Sequence, residues 1–305
     1  MAAVPRVPSG HSANLENGQP AGGNSQLATR NSQLITAGYE ELLTALRAMN
    51  GVLVAFSGGV DSSLLLAAAR KALGEAVLAV TAVSPIFPPS DLEAARLLAG
   101  ALGVRWITLE TDELADPHFR ANPPNRCYLC KKRLFTRLLA EARRQGLPWV
   151  IEATNADDLA DYRPGLIALR ELGIRSPLVE VGMGKQAIRR LARGERLPNW
   201  DRPSSACLAS RIPYGEAITR ERLERIARAE TALRGLGFRQ VRVRDHGVVA
   251  RIELMKDDLE RLLAAGQREE VIASCRAAGY RYVTLDLQGY RTGSLNETLE
   301  AVRAE

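Results

Sequence analysis

Val52-Leu53-Val54-Ala55-Phe56-Ser57-Gly58-Gly59-Val60-Asp61-Ser62-Ser63 decides how the rest of the 305-residue chain is read. The first five of these residues are wholly apolar, the pattern of a short strand buried on both faces of a parallel sheet. A helical pattern runs from Ser62 to Leu73, so the Ser-Gly-Gly turn lies between a buried strand and the start of a helix. Two glycines let the backbone approach a phosphate without interference from Cβ atoms. The loop amides, the hydroxyls and the helix N-terminus all direct positive charge at an anion. Without a ligand the same residues would be a glycine turn with Asp61 as helix N-cap. No Gly-Lys-Ser/Thr follows, so the loop is not a Walker A motif.

Downstream of this stretch the alternation continues. Strands are predicted at 76–82, 104–109 and 149–152, with helices near 90–102 and 131–144, and such βαβ units imply a parallel sheet with helices on both faces. Residues 201–215 break the rhythm with Pro203, Ser204, Ser205, Pro213 and Gly215, the composition of a loop joining two domains. An amphipathic helix at 219–236, strands at 240–243 and 248–254, a helix at 269–278 and a strand at 282–286 then predict a small α+β layer. Upstream, Leu42, Leu43, Leu46 and Met49 recur at helical spacing, whereas residues 1–31 hold too few apolar side chains to offset the entropy of ordering and are expected to form a disordered extension. The expected organisation is that extension, an α/β domain at 32–200, a Cys-containing linker loop at 201–215 and a C-terminal α+β substrate-binding domain at 216–305.

Composition narrows the function. With 46% hydrophobic and 25% charged residues the chain is neither collagen-like nor of low complexity. The 41 basic and 35 acidic residues leave a net charge of +6 that is dispersed, whereas a nucleic-acid footprint needs clustering on one face, so nucleic acid is not the expected partner. No apolar run approaches the ~18–20 residues of a membrane helix, and the N-terminus lacks the apolar core of a signal peptide. A cytoplasmic location without membrane attachment is expected. Four cysteines are too few for a disulfide scaffold and point to metal or redox chemistry.

Three of those cysteines form a pattern. Cys127-Tyr128-Leu129-Cys130 is followed by Cys207 in Ser204-Ser205-Ala206-Cys207-Leu208-Ala209-Ser210-Arg211. A structural zinc wants four protein ligands, and the fourth would have to be His118 or Cys275. Three cysteines on a cubane leave one iron open for an exogenous ligand, and a Cys-x-x-Cys disulfide is the redox alternative. Cys275, among apolar neighbours on a helix, reads as core. Arg242 and Arg244 alternate on a strand, so both guanidiniums leave the same face and can hold one phosphate; a solvated strand face is the plainer alternative.

At Ser57 to Ser63 the sequence resembles the PP-loop ATP pyrophosphatases, whose Ser-Gly-Gly-x-Asp-Ser motif serves enzymes that adenylate a substrate with loss of pyrophosphate. The resemblance implies that Ser57, Gly58, Gly59, Val60, Asp61, Ser62 and Ser63 bind ATP and hold the departing pyrophosphate, with Asp61 helping to bind Mg. It places Val80, Thr81 and Ala82 beside the adenine and makes Thr154-Asn155-Ala156-Asp157-Asp158 a second nucleotide-side segment, which read alone is equally a polar loop. Four segments tighten the resemblance to the LarE-type sulfur transferases of nickel-pincer nucleotide synthesis, the cofactor of lactate racemase. They are the PP-loop, Asp161-Tyr162-Arg163-Pro164-Gly165, the run from Trp200 to Gly215 that contains Cys207, and Arg242-Val243-Arg244-Asp245-His246.

This family resemblance implies a reaction. The carboxylate of a pyridinium carboxylate mononucleotide attacks the α-phosphate of Mg-ATP, and sulfide then displaces AMP to give a thiocarboxylate. Two versions are implied. In one, Cys207 gives up its own sulfur and becomes dehydroalanine; in the other, Cys127, Cys130 and Cys207 hold a [4Fe-4S] cluster with a replaceable sulfide, and the Cys-x-x-Cys fits this second version. Resemblance further assigns Arg211, Arg242 and Arg244 to the substrate phosphate, with Glu230 and Glu253 nearby, either of which has abundant Arg to pair with. A homo-oligomer and a separate sulfide donor are expected. The rival readings are a tRNA thiolase, which should show a concentrated basic face, and a non-catalytic nucleotide or iron-sulfur sensor.

Overall fold

The computed structural model describes residues 23–297 apart from Asp161, Tyr162, Ser204 and Ala265. In chain order the elements are α1 (Gly23–Arg47), β1 (Val52–Ala55), α2 (Val60–Leu73), β2 (Val77–Val83), α3 (Pro89–Ala101), β3 (Arg105–Glu110), α4 (Pro117–Arg120), α5 (Arg126–Arg144) and β4 (Trp149–Ile151). They continue with α6 (Gly165–Glu171), α7 (Pro177–Glu180), α8 (Lys185–Gly194), α9 (Arg220–Gly235), β5 (Val241–His246), β6 (Val249–Leu254), α10 (Lys256–Ala264), α11 (Arg268–Ala278) and β7 (Tyr282–Leu285). The expected N-terminal extension is corrected at its inner end, because α1 already begins at Gly23. A helix nucleated by the packed residues around Leu42 propagates backwards at one hydrogen bond per added residue. Residues 1–22 lie outside the described residues.

β1 to β4 form a parallel sheet in the order β3-β2-β1-β4, with Leu53 opposite Leu78 on one side and Val150 on the other. Period-two alternation divides β1 between two cores. Val52 and Val54 pack with Leu42, Leu46, Leu64 and Ile188, from α1, α2 and α8, whereas Leu53 packs with Phe135, Leu138 and Leu169, from α5 and α6. That two-sided burial is why the strand is apolar throughout, and it gives the expected α/β sheet with helices on both faces.

Strand order reverses at β1, since the chain steps outward through β2 and β3 and then returns by α5 to place β4 on the other side of β1. Open α/β sheets bind ligands beyond the carboxyl ends of the strands at such a switch point. The glycine loop after β1 and the Thr154 segment after β4 border this crevice. After the Thr154 segment the sequence pattern missed α6, α7 and α8, which are short and separated by Gly173 and Gly182, both at positive φ.

β5 and β6 are antiparallel and β7 runs parallel to β6, a mixed sheet whose core joins Val241, Val243, Ile252 and Leu254 to Leu233 of α9 and to Val271 and Cys275 of α11. This is the expected C-terminal α+β layer with α10 added between β6 and α11. Among the described residues no helix is long and apolar enough to cross a membrane.

Candidate active site

Gly58 sits at φ +70°, and a Cβ there would lie 3.1 Å from the Ala95 amide nitrogen of α3. Its glycine therefore serves both the turn and the close approach of α3 to the loop. The N-cap of α2 is Gly59, not Asp61, and it lacks a side-chain cap. Ser62 and Ser63 turn their hydroxyls inward and donate to the Gly59 carbonyl at 3.0 and 2.8 Å. Ser57 stays exposed, and with the amides at the start of α2, including that of Val60, it forms the face offered to an anion.

Asp61, one position into the first turn of α2, has its Oδ2 2.6 Å from Lys185 Nζ. Its Oδ1 is buried without a hydrogen-bond partner. Burial raises the Asp61 pKa, Lys185 lowers it in part, and Asp158 raises it again. Around the loop, Asn199 Nδ2 donates to Gly58 O and to Ser63 Oγ, both at 2.9 Å, while Arg202 donates to Gly58 O at 3.3 Å and holds Asp91 at 2.6 Å. Lys185 and Asn199 had no signal in the sequence, and Arg202 stood there only within the run from Trp200 to Gly215, because all three meet the loop through tertiary packing of α8 and the chain that follows it.

The other nucleotide-side residues are tied to protein. Buried Thr81 donates to Phe56 O at 2.8 Å and accepts from Trp106 Nε1 at 2.9 Å. Thr154 donates its hydroxyl to Glu152 at 2.8 Å, and Asn155 Oδ1 accepts the amides of Asp157 and Asp158 at 3.0 and 3.3 Å. Asp157 in turn accepts the Lys185 amide at 2.8 Å, so this polar turn anchors the start of α8 opposite Asp61.

Cys127 and Cys130 lie in the first two turns of α5, and Cys207 precedes a short 3-10 helix at Leu208–Arg211. Cys207 acts on both thiols of α5. Burial and then Cys207 raise the Cys127 thiol, although the residue as a whole is exposed; burial, Glu113, Cys207 and Cys127 raise Cys130 well above its ordinary value. Cys130 and Cys207 pack against Ile86, Phe119 and Leu208. All four cysteines are free thiols, Cys275 is buried in the C-terminal core and His118 is exposed on α4, so neither supplies the fourth zinc ligand considered from the sequence. Among the described residues no group of three or more His, Cys, Asp or Glu is spaced to hold a metal ion.

The arginines are buried, which removes the solvated-strand alternative. Arg211, fully enclosed, forms a two-pronged pair with Glu230 at 2.7 and 2.9 Å, and its Nη1 donates to the carbonyls of Ala206 and Cys207 at 2.9 and 3.1 Å. Arg244 pairs with Glu253 through two bonds of 2.8 Å and donates to Ser210 O at 2.6 Å. The segment bearing Cys207 is thus gripped from α9 and β5 by two buried ion pairs. Arg242, on the same strand face as Arg244, is pulled down to about 10 by burial and then by Arg211. Two cations in one dry site favour an anion beside them.

The asparagine synthase family model matches residues 42–127, from the end of α1 to the start of α5. A glycine loop and helix N-terminus at the switch point of a parallel sheet, within that match, define an ATP pyrophosphatase of the PP-loop class, whose members use ATP with Mg. An uncharacterized protein of Synechocystis is 44% identical over 82% of this chain and 94% of its own length. The pyridinium-3,5-bisthiocarboxylic acid mononucleotide synthase of Lactiplantibacillus plantarum is 40% identical over 85% of this chain and 93% of that protein, and an uncharacterized protein of Methanocaldococcus jannaschii is 32% identical over 79% and 91%. The chain belongs to the LarE family of ATP-dependent sulfur transferases.

Proposed function

We propose that this enzyme adenylates a pyridinium carboxylate mononucleotide and converts the acyl adenylate to a thiocarboxylate, with sulfide carried on a [4Fe-4S] cluster held by Cys127, Cys130 and Cys207. The relative named as a pyridinium-3,5-bisthiocarboxylic acid mononucleotide synthase supports the substrate class. The observation that carries the sulfur source is three free thiols from two segments far apart in sequence, with Cys207 raising both Cys127 and Cys130. Three thiolates are the donors that such a cluster takes, so the donor chemistry fits, while the spacing of the three thiols in this structure is not that of a loaded site. When bound, such a cluster supplies a replaceable sulfide on its open iron.

In the first half-reaction the substrate carboxylate is already a nucleophile, so no side-chain base is required. The loop amides at Gly59, Val60 and Asp61 receive the charge that develops on the departing pyrophosphate. Asp61 fits a Mg site because its buried Oδ1 has no partner, and Mg is held by one or two carboxylates together with substrate phosphates. Arg242 and Arg244 take the substrate phosphate. Arg211, committed to Glu230 and to the Cys207 carbonyl, sets the position of the thiol. Sacrifice of Cys207 is the second reading, favoured by the fact that Arg211 and the Leu208 amide, bonded to Ile86 O at 2.8 Å, fix this residue independently of α5. Pyrophosphate release that depends on the mononucleotide, measured beside the iron and sulfide content of anaerobically purified protein, tests both halves of the proposal.

A further inference from the structure

After β7 the chain doubles back. Gly289 turns at φ +70°, and a Cβ there would lie 2.8 Å from the Leu254 carbonyl oxygen, the atom that the Tyr290 amide bonds at 2.7 Å. Residues 289–297 then pass over the arginines of β5. The Arg242 guanidinium lies 5.4 Å from the centre of the Tyr290 ring. The buried Ser294 hydroxyl accepts from Arg244 Nη2 at 2.7 Å and donates to Glu253 Oε1 at 3.3 Å. Asn296 Oδ1 accepts the Tyr214 hydroxyl at 3.1 Å, and Tyr214 in turn stacks on Arg126, the neighbour of Cys127, at 4.8 Å. Two bonds of 3.0 Å from Arg291 to Glu297 close the end of the segment into a loop.

We propose that residues 289–297 are a strap that forms one wall of the substrate site, in which the Ser294 hydroxyl and Arg244 share the phosphate of the mononucleotide and the Tyr290 ring sets the orientation of Arg242. This rests on the reading of Arg242 and Arg244 as phosphate ligands. The chemistry selects a dianionic phosphate monoester. Ser294 already faces a guanidinium, and its long bond to Glu253 exchanges for a phosphate oxygen at small cost. Tyr290 presents an aromatic face to a buried cation, which holds the guanidinium plane without consuming its N–H donors. Because the strap also reaches Tyr214, closure on the phosphate is coupled to the segment that carries Cys207.

Steady-state kinetics of the full chain test the strap. Ser294→Ala and Tyr290→Leu are expected to raise the KM of the pyridinium carboxylate mononucleotide about tenfold, the loss of one charge-assisted contact, with the KM of ATP unchanged. Amide exchange in residues 289–297 should slow with the mononucleotide and not with the nucleoside that lacks its phosphate. Arg242→Ala, measured alongside, separates the two levels of the argument. If it raises the mononucleotide KM and neither strap variant does, the strap is overturned and the arginine reading stands. If none of the three raises it, the arginine reading falls and the strap with it. Equal rises in both KM values, accompanied by a lower melting temperature, would mark Ser294 and Tyr290 as packing residues and overturn the proposal.

Discussion

Lys185 Nζ lies 2.6 Å from Asp61 Oδ2, so one ion pair joins the first turn of α8 to the first turn of α2 at the mouth of the pyrophosphate loop. Asp61→Asn keeps the volume and removes the charge directed at Mg, and pyrophosphate release should fall at least about tenfold. Stability should move the other way. Burial holds the Asp61 pKa above its ordinary 3.8 despite Lys185, so folding penalises the charged form. That penalty is complete above the folded pKa and vanishes below the unfolded one. The variant should therefore melt higher than the parent at pH 7 and equally at pH 3.5, as read by thermal scans at both values. An equal gap at the two pH values would show that the carboxylate charge is not the cause.

Lys185 is the counterweight to that burial. Lys185→Met should raise Asp61 further and move the acidic limb of the pyrophosphate-release profile to higher pH, and Lys185→Arg should restore it. A limb that stays in place in the Met variant would detach Lys185 from the titration of Asp61.

The buried pair of Arg211 and Glu230 makes a stability prediction. Arg211→Ala leaves a fully enclosed carboxylate with only Arg234 and the Val243 amide as partners, and breaking such a pair costs about 3–5 kcal/mol. Urea unfolding should show that loss, with Glu230→Gln giving a smaller one because the hydrogen-bonding shape is kept. Arg211→Ala should also slow sulfur transfer more than adenylation, since Arg211 Nη1 holds the Cys207 carbonyl. Equal slowing of both steps would make the pair a scaffold for the whole domain.

These residues mark where the sequence was readable. The run from Val52 to Ser63 was legible because a wholly apolar strand, two glycines and a helix start are local signals, and the sheet followed from their repetition. Arg211, Arg242 and Arg244 were found as cations, but which carboxylate Arg211 and Arg244 meet is set by β5 and β6 register and by the packing of α9, which a single sequence does not display. Lys185 lies 124 residues from Asp61, on a helix whose basic face reads as solvated surface. The segment from Gly289 to Asn296 is polar and rich in turn residues, so in sequence it resembles a tail, although Ser294 is buried in the structure.

The cysteines allow the sharpest test, because the two sulfur sources treat Cys127 and Cys130 differently. Both lie in the first two turns of α5, Cys130 shares the packing of Ile86 and Phe119 with Cys207, and both thiols are raised by burial and by Cys207. If the three hold a cluster, anaerobically reconstituted protein should bind about four irons per chain and lose them when any one of the three becomes Ala. Supplied with sulfide, it should also turn over repeatedly. Cys275→Ala, in the separate C-terminal core, should keep its iron and lose only stability. If Cys207 is instead consumed, the intact mass should drop by one hydrogen sulfide after a single turnover, and the Cys127→Ala/Cys130→Ala double variant should complete that turnover as the parent does. Mass loss in a functional double variant would defeat the cluster while leaving adenylation at the PP-loop in place, because no contact of Ser57, Gly59 or Asp61 runs through those two thiols.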